Sequence, residues 1–297
     1  MTAIQRRLGE WRPPLHLARP ARLSSHTVLP ESGLGALPTI PQGTAARYRI
    51  DVATSGVTVP TLLVTRPGAD RLIIMNNGAV DQSRSNGEPV FQRRSWAQGL
   101  PANLLFVCDP LTVGDDALSL AWGQVRADAT IYPTVRALVH EVSRQLGVSA
   151  SQRTYFGSSA GGFMALMEHA HDPGSRAVVN NAQFDWTRWM PSGAMPLIRR
   201  LFPGMSPADV RESLGARSNA LSTLTAEPDS PRFSYLVNLA SKHDVAVELP
   251  QFADFLAGAG RRGAQVLCQT YYDEHSGHGP LSLEKTLPYL NLPASLV

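Results

Sequence analysis

The chain has 297 residues, of which 43% are apolar and 17% charged, with a formal net charge of +3. That apolar share supports a buried core and excludes a disordered chain, and one α/β domain accommodates the length. The positive charge comes from scattered arginines, with Lys242 and Lys285 as the lysines and no basic stripe interleaved with aromatics, which argues against a nucleic-acid groove.

Residues 1–45 are rich in Pro, Gly and Ser and read as an irregular arm with room for one strand, packed on a main domain at 46–297. The arm carries arginines but no apolar stretch of the secretory kind. No run anywhere in the chain reaches membrane-spanning length, so a cytoplasmic protein without a membrane partner is expected. Tyr48–Ala53 and Val59–Val64 read as strands joined at Ser55-Gly56. Arg71–Met75 is a short strand ending in Asn76-Asn77-Gly78, and Pro89–Gln98 is expected to be a helix. Asn103–Cys108 reads as a buried strand. Over Thr130–Leu146 the residues Ile131, Val135, Leu138, Val139 and Val142 recur on one face, the signature of an amphipathic helix. Thr154–Phe156 is a strand and Gly161–His169 the helix after it. Further strands are expected at Ala177–Asn180, Ser234–Leu239 and Val266–Tyr271, and helices at Glu248–Gly258 and Leu281–Tyr289.

This alternation predicts an α/β fold: a mostly parallel sheet of about eight strands with helices on both faces. One stretch, about 184–231, breaks the rhythm. It carries Trp186, Trp189, Met190, Met195, Phe202 and Met205 with prolines at intervals, and it reads as a helical lid over the C-terminal edge of the sheet. Cys108 and Cys268 fall in two runs read as buried strands, placed well apart and expected to stay unpaired.

Gly157-Ser158-Ser159-Ala160-Gly161 fits G-x-S-x-G between a predicted strand and a predicted helix. A sharp turn there exposes the Ser159 hydroxyl, and small neighbours let backbone approach closely. A serine needs a base, and the base needs an orienting acid. His278, in Ser276-Gly277-His278-Gly279-Pro280, is the expected base, with His275 its competitor. Asp244, after the strand ending near Leu239, is the expected acid, with Asp185 its rival. The oxyanion requires N–H donors. Ala160 supplies one and Ala79 the other, from the loop Asn76-Asn77-Gly78-Ala79-Val80, with Asn77 as a brace.

The order Asn77-Gly78, Gly157–Gly161, Asp244, His278 resembles the α/β-hydrolase superfamily over about residues 47–290. The resemblance implies its sheet, its Ser-acid-His triad and its oxyanion loop. Many members have His-Gly where this chain has Asn77-Gly78, and the HGGG loop of some lipases and esterases is missing. Cys108-Asp109-Pro110-Leu111 with Leu118–Trp122 resembles hydrolase-like carbohydrate O-acetyltransferases of accessory secretion systems. Three functions are therefore in view: hydrolysis of a small-molecule or glycan ester, acyl transfer to a carbohydrate or other alcohol, and binding without catalysis. Trp186, Arg188, Trp189, Arg199 and Arg200 are candidates to touch a glycan or an anionic donor. No cofactor or metal is expected. His169 and His171 are two apart and share no helix face, and no nucleotide-binding glycine pattern is present.

Overall fold

The computed structural model describes residues 22–227, 230–259 and 263–292; residues 1–21 of the expected arm lie outside them. Among the described residues eleven strands form in chain order: β1 (Leu23–Pro30), β2 (Ala46–Thr54), β3 (Val57–Thr65), β4 (Leu72–Asn76), β5 (Asn103–Val107), β6 (Gln124–Arg126), β7 (Ala129–Thr130), β8 (Arg153–Ser158), β9 (Arg176–Asn180), β10 (Arg232–Asn238) and β11 (Gln265–Tyr271). β6 and β7 make a small hairpin. The other nine form one sheet in the order β1-β2-β3-β5-β4-β8-β9-β10-β11. β3 runs antiparallel to both neighbours, and every other pairing is parallel. The ninth strand beyond the expected eight is β1, which adds to the outer edge.

The helices are α1 (Gln82–Ser85), α2 (Tyr132–Leu146), α3 (Ala160–Ala170), α4 (Pro191–Leu201), α5 (Pro207–Leu214), α6 (Ala220–Ala226), α7 (Leu249–Ala259) and α8 (Leu283–Leu290). Side chains alternate across the pleat and build two cores. Leu72, Ile74, Tyr155, Val179 and Tyr235 pack with α2, α3, α6 and α7 on one face. Ile73, Met75, Phe156, Val178 and Leu236 pack with α8 and Ala97 on the other. The predicted stripe of α2 is buried at Val135, Leu138, Val139 and Val142, and the helix ends at Gly147 with φ 69°, where an L side chain is strained.

Two expectations need correction. Pro89–Gln98 is not a helix: only Arg94–Gln98 coils, as a 3-10 turn, because Arg93 sits at φ 62°, outside right-handed helical space. β11 is not a buried strand. It pairs with β10 alone among the described residues, and Cys268 is exposed. Cys108 is buried, both cysteines are free, and burial pushes the Cys108 thiol up to about 11.

The insertion contains α4, α5 and α6. Its aromatic residues anchor it to the core: Trp186 is fully buried and stacks on Trp122 at 5.5 Å. Among the described residues no helix is long and apolar enough to cross a membrane.

Candidate active site

Parallel strands leave their C-terminal ends on one edge, where the connecting loops converge. Ser159 follows β8 directly and takes φ 57° and ψ −127°, a conformation L residues avoid. Its neighbours allow this turn because they lack side chains. A Cβ on Gly157 would lie 2.0 Å from the Gly161 carbonyl oxygen, one on Gly161 2.8 Å from that of Asn76, and one on Gly162 2.7 Å from the Ala182 Cβ. The motif glycines therefore let β8, α3 and the end of β4 meet. The backbone of Ser159 is held by its N–H donating to Asn180 O (3.1 Å) and by Gln183 N–H donating to its carbonyl (3.3 Å).

The Ser159 Oγ lies 2.9 Å from His278 Nε2. On the other side of the ring, Nδ1 is 3.0 and 2.9 Å from the two carboxylate oxygens of Asp244. Asp244 is fully buried and opens the π-helical turn Asp244–Glu248 after β10. A carboxylate only accepts, so the neutral imidazole carries its proton on Nδ1 and presents a bare Nε2 to the serine hydroxyl. Buried asparagines hold the loop that presents His278. Asn238 Nδ2 donates to the carbonyls of Asp273 and Gly277, both at 2.7 Å. Asn181 Nδ2 donates to those of His278 (3.2 Å) and Gly279 (3.1 Å).

The loop after β4 passes beside the serine: a Cβ on Gly78 would sit 3.8 Å from the Ser159 Cβ. Gln92 grips it, accepting from Gly78 N–H (2.9 Å) and donating to Ala79 O (2.7 Å). The Gly78 donor is thus occupied. The N–H groups of Ala79 and Ala160 make no hydrogen bond among the described residues. Asn77 Oδ1 accepts from Asp109 N–H at 2.7 Å. The Asp109 carboxylate in turn accepts from Leu111 N–H (3.1 Å) and Gly123 N–H (2.7 Å). Burial pushes that carboxyl up to about 6 against those two bonds. Arg93 donates to Ser158 Oγ and lies over the rings of Trp96 and Phe156 at 5.5 and 5.3 Å. Burial lowers it to about 10, still a cation at neutral pH.

The two competitors stand apart from this chain of bonds. His275 is exposed, and its N–H donates to Asp273. Asp185 is buried, caps Thr187 N–H at 3.0 Å, and accepts from Arg188 (3.2 Å) and Arg211 (2.9 Å). Its carboxylate is consumed in tying the insertion together. Arg199 and Arg200 are exposed. Trp189 reaches the site: its ring lies 4.7 Å from that of His278 and 4.5 Å from that of His243. His169 is buried, bonded to Ser175 Oγ (2.9 Å) and Arg232 N–H (3.1 Å), and held neutral by burial. No three His, Cys, Asp or Glu side chains are grouped as metal ligands among the described residues.

The structure also brings Gln92, Arg93, Asp109 and Gln183 to this cluster, none of which the motifs in the sequence single out. Asp109 lies in the segment with the O-acetyltransferase resemblance and was open to detection. The others sit in loops with no periodic pattern.

No protein-family model and no curated protein sequence matches the chain. Solved structures do. The capsule O-acetyltransferase of Neisseria meningitidis serogroup A is similar over 80% of this chain and 93% of that one, at 12% identity and a TM-score of 0.58. An S-formylglutathione hydrolase from Agrobacterium tumefaciens is similar over 85% and 95%, at 12% identity and 0.55. A prolyl endopeptidase is similar over 88% of this chain and 40% of that one, at 15% identity and 0.60. These neighbours share hydrolase-fold architecture while their named activities differ. With its mostly parallel nine-stranded sheet and its likeness to these structures, the chain has the α/β-hydrolase fold.

Proposed function

We propose that this protein is a serine enzyme that cleaves a carboxylic ester through an acyl-enzyme on Ser159. The observation that carries the reading is the unbroken series Ser159 Oγ, His278 Nε2, His278 Nδ1, Asp244, built on a strained serine. His278 takes the hydroxyl proton as Oγ bonds to the acyl carbon, and Asp244 stabilises the resulting imidazolium. The N–H groups of Ala79 and Ala160 receive the oxyanion. His278 then protonates the leaving alkoxide, and water releases the acyl group by the reverse sequence. The substrate class is a small-molecule or glycan ester. Incubation with p-nitrophenyl acetate and a fluorophosphonate tests this. Turnover and a Ser159 adduct are expected, both absent in Ser159→Ala; turnover retained in that variant refutes the assignment.

One observation favours acyl transfer as the second reading. Trp189 covers the His278 ring from the insertion, so the insertion acts as a lid that limits water at the acyl-enzyme. An alcohol acceptor then competes for the acyl group, in keeping with the named activity of the Neisseria neighbour. Acylated sugar formed faster than free acid supports transfer, and free acid alone across an acceptor panel supports hydrolysis.

A further inference from the structure

The Ser159 Oγ has a second partner besides His278. Gln183 Nε2 lies 2.9 Å from it. The Gln183 side chain is fully buried, and its orientation is fixed from behind. Its Oε1 accepts from Trp122 Nε1–H, a group that donates and never accepts. Flipping the amide would set two donors against each other, so the NH2 must face the serine. Trp122 is itself immobilised. It adopts φ 50°, stacks on Trp186, and accepts at its carbonyl from Tyr132 Oη at 2.5 Å. The next residue, Gly123, is tied to Asp109.

We propose that Gln183 is a catalytic residue whose main effect falls on breakdown of the acyl-enzyme. The proposal rests on the acyl-enzyme reading above. In the free enzyme Oγ is a hydroxyl oxygen and already accepts from Gln183, so acylation gains only the strengthening of a bond that exists. In the acyl-enzyme Oγ is an ester oxygen, a poor acceptor. As water adds, its proton passes to His278 Nε2 and its oxygen bonds to the acyl carbon. Collapse breaks the carbon–Oγ bond, the electron pair returns to Oγ, and His278 delivers the proton back. Negative charge builds on Oγ in that step, and the Gln183 N–H bond strengthens with it, while no proton leaves the amide. Only interactions stronger in the transition state than in the preceding ground state accelerate a step, so the contribution is larger for deacylation.

Stopped-flow hydrolysis of p-nitrophenyl acetate separates the two steps. In Gln183→Met, which keeps length and loses the donor, steady-state turnover is expected to fall about ten- to hundredfold, the range for a hydrogen bond to a charged group. The burst rate constant should fall less than about threefold, and acetylated Ser159 should accumulate by mass spectrometry. Trp122→Phe leaves Gln183 in place and frees its amide to rotate, so it should shift the two rates in the same direction by less, providing a test should Gln183→Met not fold. Equal losses in burst and steady state, or no change in either, overturn the proposal. Wild-type protein that forms no Ser159 adduct overturns the acyl-enzyme reading itself, and this proposal with it.

Discussion

The two edges of the sheet are built from different chemistry. At the N-terminal edge the bonded side chains are mostly charged. Arg153 donates to both oxygens of Asp172 at 2.6 Å, and His140 (3.0 Å) and Tyr155 (2.9 Å) complete that carboxylate. Arg71 and Arg176 donate to the carbonyl of Leu290, at the C-terminus of α8, at 3.1 and 2.6 Å, where cations oppose the helix dipole favourably. At the C-terminal edge the fixed groups are mostly neutral amides: Asn76, Asn77, Asn180, Asn181, Asn238, Gln92 and Gln183. Four residues with positive φ that are not glycine also meet there: Arg93, Trp122, Ser159 and Asn181. An edge of charges bonded to one another and to helix carbonyls holds the fold. The amides fix the loops that present Asp244 and His278 to each other, with Arg93 the buried cation beside Ser158. Strain concentrated at one edge is the mark of a site that the rest of the molecule holds in place.

The largest effects separate the edges. Ser159→Ala is expected to lower ester turnover at least about a thousandfold with the melting temperature unchanged. Asp172→Ala should do the opposite. It leaves the Arg153 guanidinium buried without its partner, which costs about 3–5 kcal/mol, while kcat/KM of the folded protein below its melting transition stays near wild type. Burial opposes ionisation of Asp172, yet the bonds from Arg153, His140 and Tyr155 outweigh it and hold the carboxyl below its ordinary value. The variant protein therefore loses a stabilising group that the wild type has at neutral pH and loses in acid. Denaturation and kinetics on the same samples decide the matter: a folded Asp172→Ala with collapsed turnover would erase the division.

Much of this arrangement was legible in the sequence because it rests on periodicity and order. The α2 stripe, the strand before Ser159 and the helix after it follow from the spacing of apolar residues. Asp244 and His278 were reachable because each follows a strand that the pattern reveals. Legibility ended where tertiary contact decides conformation. Arg93 leaves helical space, and its guanidinium meets Ser158 and the rings of Trp96 and Phe156, contacts no local pattern encodes. Asp185 and Asp244 both follow strands, and only the Arg188 and Arg211 partners of the first show that it is already spent. β11 has the composition of an inner strand and lies at an edge because of its place in the sheet order.

Glu168 offers an intermediate test, since it lies on α3 beneath the serine turn and belongs to neither edge. It is buried and accepts from Asn76 Nδ2 at 2.7 Å, at the base of the loop after β4. Burial pushes its carboxyl up to about 8, and the Asn76 bond offsets only part of that. A folded-state value above the unfolded one means that the stabilising contribution is complete below the unfolded value near 4.5 and is lost as pH rises through about 8. Wild-type melting temperature should therefore decline across that window. Glu168→Gln keeps the acceptor for Asn76 and removes the titration, so the decline should flatten and the variant should gain on wild type as pH rises. Parallel melting curves for the two proteins from pH 5 to 9 would show that Glu168 is not the group responsible.

The smallest effect isolates the strain itself. Ser159→Gly and Ser159→Ala both remove Oγ, but only glycine is at ease at φ 57° and ψ −127°. Relief of a strained residue is worth about 1–3 kcal/mol, and the extra freedom of glycine in the unfolded chain takes back about 0.5–1 kcal/mol. Ser159→Gly should then be more stable than Ser159→Ala by about 1 kcal/mol, read as a higher urea midpoint at an unchanged slope. Both variants should be equally inactive. Equal midpoints would mean that the turn is held without strain, and the contrast between the edges would then rest on their hydrogen-bonding chemistry alone.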